Sequence, residues 1–256
     1  MKRTIFLLAI CLVSNSCQLS SSEKKAELIE RQHVFNECMS AAHHHSGLIR
    51  TFREQASPDL FNPSILVNRD DIVKEIDRIS LSYLDANNIE YNENELRALS
   101  HEVLLSDKIK TKSDEYDQIT NELLNDLMGV LDFENIDQLE NDVSDVLFSE
   151  KYVSTSDELF NICAITSAVF IDSAQYWEVN IIEWMNSQTN DISTKSIDWN
   201  VILESFLGVV EADVSAAVLA ATYLSWFPPL TAVGVALGAG FGSIVYCMQQ
   251  IVDSVF

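Results

Sequence analysis

The side chains whose types and spacing could hold a metal ion are His33, Glu37 and His44. Spacings of four and seven put them near one face of a helix, where a divalent ion could sit. The set lacks an HExxH pairing, however. His43, His44 and His45 are adjacent and point in three directions, so a partly exposed helix end competes with the metal reading. Asp85-Asn87-Ile89 and Asp132-Glu134-Ile136 begin like calcium loops, but an apolar residue holds the fifth position of each. Neither has Gly at six or Glu at twelve. The chain contains no GxSxG, no Walker loop and no dinucleotide fingerprint. No catalytic residue, metal or cofactor is assigned, and the expectation is a protein that is not an enzyme.

Thiol chemistry is equally undirected. With residues 1–17 set aside, Cys38, Cys163 and Cys247 form an odd, widely separated trio without a CxxC. That gives no disulfide framework and no zinc signature, and each thiol reads as a small buried hydrophobe.

One element stands out among those that must position any site. From Val214 to Val252 the chain runs 39 residues without Asp, Glu, Lys, Arg or His, and Pro228-Pro229 breaks the run. The proline pair must interrupt a helix and predicts a tight helical hairpin. Its second half, Leu230 to Met248, has 19 residues, about the length that spans a bilayer core; the 14 uncharged residues of the first half suit a buried helix. Gly234, Gly238 and Gly242 make a GxxxGxxxG pattern, and Ala217, Ala220 and Ala221 offer a similarly small surface across the turn. Three helical glycines each cost about 0.5–1 kcal/mol relative to Ala, so close helix packing must offset them. Two settings stay open: a hairpin that inserts in membrane and a hairpin buried in a core. Glu204, Glu211 and Asp213 ahead of the run, and the lack of flanking Lys or Arg anchors, tilt the balance toward the core.

The rest of the chain reads as amphipathic helix. A first segment covers roughly 23–51 through Leu28, Ile29, Val34 and Met39, followed by a Pro-punctuated loop at 57–64. Further helices are expected at about 63–84, around Leu96 to Leu104 with Asn92 or Asn94 as cap, at 114–132 and at 136–149. A capping box over Thr155 to Glu158 starts a longer, more apolar helix reaching about Met185, in which Tyr176, Trp177 and Trp184 cover a packing edge. The last helices are expected at 197–227 and 230–254. Seven glycines and four prolines in 256 residues are too few turn formers for an all-β fold.

The N-terminus carries an address. Lys2 and Arg3 precede an apolar stretch from Ile5 to Val13, too short to span a membrane, and Ser14-Asn15-Ser16 leads into Cys17. This layout resembles the signal and lipobox of bacterial lipoproteins, in which that Cys is lipidated, although Ser14 and Asn15 depart from the usual Leu and small residue. Gln18 after the Cys resembles an outer-membrane sorting preference. Loss of residues 1–16 leaves 14 basic against 39 acidic side chains, a surface that repels phosphate backbones and makes nucleic acid a poor partner.

The segment SAQYWEVNIIEW from Ser173 to Trp184, the EADVSAA stretch and the Gly/Ala-rich apolar end look like a group of exported proteins of Gram-negative gut-type bacteria. The resemblance covers about the last 90 residues and brings export but no activity. The chain is thus expected to be an all-α multi-helix bundle with a C-terminal apolar hairpin. Its parts would be a signal peptide (1–16), a tether (17–25), an acidic amphipathic bundle (26–190) and the hairpin (197–256) packed on that bundle. The membrane would be a partner through the lipid anchor, and the hairpin is a second candidate contact with it. The leading role is non-catalytic binding or structure in the cell envelope; the alternative is a pore-forming or bacteriocin-like protein that uses residues 214–252.

Overall fold

The computed structural model describes residues 21–61, 69–105, 114–187, 199–224 and 231–253. Cys17, Pro228 and Pro229, with the signal segment, lie outside them. Every regular element among the described residues is helical: α1 (Ser21–Gln55), α2 (Arg69–Ala86), α3 (Glu93–Leu105), α4 (Asp114–Val130), α5 (Leu139–Leu147), α6 (Glu150–Val153), α7 (Asp157–Ser187), α8 (Trp199–Leu224) and α9 (Thr231–Asp253). Short 3-10 turns at Pro58–Phe61 and Phe133–Gln138 join them. The all-α bundle is therefore observed.

Local chemistry sets the helix starts. Asn92 Oδ1 accepts from the backbone N–H of Asn94 and Glu95 and caps α3. Ser156 Oγ accepts from Leu159 N, so the α7 cap is Ser156 rather than the Thr155-to-Glu158 box; the Thr155 hydroxyl turns back to the Tyr152 carbonyl. Asp132 caps the second 3-10 turn, and Ile136, the fifth position of that calcium-like stretch, is buried. The Asp85 stretch ends α2 instead, with Asn88 in the left-handed region at φ 53°.

Two expectations about the first helix are corrected. It starts at Ser21, so the second half of the expected tether is helix. Its inward stripe is the expected one only in part: Val34 and Met39 pack against the core, but Leu28 and Ile29 do not. Ile29 is 61% exposed and Leu28 44%, while Phe35, Cys38, Ala42, His45, Ile49 and Phe52 are buried at alternating spacings of three and four.

α7, α8 and α9 form the apolar centre, and α1 packs along α7 and α9. α2 and α3 lie on the α9 side, while α4 to α6 cover the α7 and α8 side. The amphipathic and apolar parts share one continuous core. α1 and α7 run parallel. Arg31 meets Asp157, His45 meets Asp172 and Arg53 meets Glu183, at sequence offsets of 126, 127 and 130.

α8 and α9 are antiparallel, and their small residues face each other. A Cβ placed on Gly234 would stand 2.5 Å from a Leu224 methyl, on Gly238 2.5 Å from Ala220 Cβ, and on Gly242 2.7 Å from Ala216 Cβ. No described side chain of residues 214–224 or 232–248 is exposed. The expectation that the second half of the run is long enough to cross a bilayer does not carry over to the helix. Among the described residues no helix is long and apolar enough to cross a membrane.

Candidate functional site

Centred inside this core lies a polar cluster that the sequence reading did not assemble. His45, on the buried stripe of α1, is 0% exposed and sits between Asp172 of α7 and Asp213 of α8. Its Nδ1 is 2.9 Å from Asp172 Oδ2. Nε2 lies 2.9 Å from Asp213 Oδ2, at ion-pair distance but off the line of a hydrogen bond. Ser173 Oγ donates to Asp213 Oδ2 at 2.6 Å and Trp177 Nε1 at 3.1 Å, while Ser243 of α9 donates to the other carboxylate oxygen. Trp177 Nε1 also reaches Ser243 Oγ at 3.2 Å. Asp172 accepts in addition from His43 Nδ1 at 2.9 Å, from Ser46 N at 3.1 Å and from Ser46 Oγ at 3.2 Å.

Four helices thus converge on one buried cation and two carboxylates. Burial alone would expel charge from His45, but Asp213 and Asp172 outweigh it and push the imidazole up to about 10. Burial likewise opposes charge on Asp172, and the hydrogen bond and charge of His45 hold its carboxyl below the ordinary range. Such a cluster carries little net stability but penalises every arrangement that separates its members. Its chemistry is that of a fixed charge assembly. Both imidazole nitrogens of His45 face carboxylates, and no open face is left for a substrate.

The stability profile against pH follows from these directions. The His45 contribution is complete below the ordinary imidazole value of 6.5 and is lost as pH rises through about 10. The Asp172 contribution is complete above the ordinary carboxyl value of 3.8 and is lost only as pH falls through its lower folded value. The melting temperature is expected to hold between about pH 5 and 6.5 and to fall steadily from there toward pH 10. A flat profile across pH 7 to 10 would show that His45 is not a buried cation.

The candidate metal set does not come together. His33 Nε2 pairs with Glu37 at 3.4 Å on an exposed face, whereas His44 Nδ1 turns to Tyr83 Oη of α2 at 2.9 Å. Among the described residues no group of three His, Cys, Asp or Glu side chains is placed to hold a metal ion. The three consecutive histidines lie inside α1, not at a helix end; His43 is 71% exposed at its side chain and His45 is buried. Cys38, Cys163 and Cys247 are buried free thiols, and burial, as the first cause, pushes Cys38 and Cys163 up to about 12. Gly234, Gly238 and Gly242 lie against α8, as a packing face.

No family model, curated protein or solved structure matches this chain.

Asp172 and Asp213 did carry a signal in the sequence. Asp172 is the lone charge between Glu158 and Glu178, and Asp213 immediately precedes the uncharged run. A lone acid in an apolar helix needs a partner, and His45 occupies a core position of the three-four stripe.

Proposed function

We propose that this chain is an exported, lipid-anchored helical protein of a Gram-negative cell envelope, with a non-catalytic binding or structural role. The observation that carries this reading is the burial of the C-terminal hairpin, whose small-residue faces pack on each other and whose Asp213 is tied to His45 of the first helix. The signal layout from Lys2 to Cys17 supports the address. Radiolabelled palmitate incorporated by the full chain and lost in Cys17→Ser tests the anchor; equal labelling of both proteins would remove it.

The membrane-active reading is less favoured because inserting the hairpin would strip Asp213 of its cation or carry both charges into hydrocarbon. Liposomes loaded with a self-quenched dye are expected to stay intact on addition of the full chain at every pH from 4 to 7. Leakage that grows toward pH 4 would replace the structural role with a pore-forming one.

A further inference from the structure

A cavity of about 350 Å³ opens between α1, α7 and the facing ends of α8 and α9. That volume falls among small-molecule sites, about 300–1,000 Å³, which combine an apolar wall with a few polar groups. Here the wall is Val34, Ile162, Ile165, Ala221 and Ala232, with the Cys38 thiol. The thiol stays protonated, since burial and then Glu37 raise it, so it adds apolar surface rather than charge. The polar groups are Glu37 from α1 and Glu158 and Asn161 from α7. Among the described residues that line the cavity none is Lys or Arg, and Glu37 also pairs with His33 at 3.4 Å on the exposed side. Arg31, one turn earlier on α1, is directed to Glu27, Asp157 and the Thr155 carbonyl.

We propose that this cavity binds a small amphiphile with an apolar body and a single cationic head, an alkylammonium compound in chemical class. The chain would bury in the aliphatic wall while the head meets the carboxylates of Glu37 and Glu158 and the amide of Asn161. An anionic amphiphile of the same length is disfavoured by those carboxylates and by a net charge of −23 on the whole protein. A hydrophobic wall holds the body with little discrimination, so selectivity lies in the head. The binding side of the role proposed above would gain a ligand class, but the inference does not need the lipid anchor or the address.

Calorimetric titration of the full chain with octyltrimethylammonium, sodium octanoate and octyl glucoside, each below its micellar concentration, tests this. The ammonium compound is expected to saturate one site and the octanoate to bind at least tenfold more weakly. Glu37→Gln with Glu158→Gln, both on exposed side chains, is expected to weaken the ammonium compound about tenfold and to erase its advantage over octyl glucoside. Ala232→Leu, which fills the wall, is expected to weaken all three, with the melting temperature read in parallel to establish that the variant is folded. Equal binding of all three compounds to the unaltered chain, no binding of any, or ammonium binding untouched by both sets of substitutions would each overturn the proposal. Tetramethylammonium binding as tightly as the octyl compound would do the same, since the cavity would then contribute nothing.

Discussion

Replacing His45 by Leu is expected to destabilise the fold by about 3–5 kcal/mol, the range for removing one partner of a buried ion pair. The substitution leaves Asp213, which is 0% exposed, with Ser173, Trp177 and Ser243 as donors and no cation. A domain of this size has on the order of 5–15 kcal/mol of stability, so the variant would stand near the edge of folding. Urea unfolding would show a lower midpoint with an unchanged slope. Adding Asp213→Asn to His45→Leu removes the stranded charge and is expected to restore a substantial part of the loss. A double variant no more stable than His45→Leu would mean that the charges are not coupled.

Gly242→Ala is the second large effect, and its sign decides between two accounts of the glycine stripe. In a helix with space around it, Gly→Ala is stabilising by about 0.5–1 kcal/mol. At Gly242 the new Cβ would come 2.7 Å from Ala216 Cβ and 2.8 Å from the Ala212 carbonyl oxygen, which is backbone and cannot swing away. α8 and α9 would have to separate, and the net result is expected to be a loss of about 2–3 kcal/mol, toward the upper end of overpacking. Gly129 of α4 is the matched control. A Cβ there meets nothing within 4 Å, so Gly129→Ala is expected to be stabilising by up to about 1 kcal/mol. Thermal melts of the two variants should move in opposite directions. A stabilised Gly242→Ala would contradict the close approach of the two helices.

The helices were legible because their causes are local. Asn92 needs no knowledge of the fold to cap α3, and Leu123 and Leu127 mark the inner face of α4 by spacing alone. The antiparallel hairpin was legible for the same reason, through small residues four apart on facing helices. The first helix was misread in part of its facing, since Val34 and Met39 do pack on the core. Leu28 and Ile29 are apolar but lie before the packed length of α1, and the stripe that is buried includes a histidine, which hydropathy does not count as core. The cluster was illegible as a cluster because its members are separated by 127 positions between α1 and α7 and by 40 between Ser173 and Asp213. Lone acids in apolar helices signal that a partner exists, but spacing does not say which residue it is.

The parallel course of α1 along α7 also has a meaning in time. Synthesis proceeds from the N-terminus, so the helix that begins at Ser21 is finished long before Asp157, Asp172 or Glu183 exists for it to meet. Pairing over so many intervening residues is slow, and apolar surface waiting for its partner invites aggregation. Phe35, Ala42, Ile49 and Phe52 therefore lack part of their packing until the last third of the chain has been made. The first helix to be made is among the last that can dock.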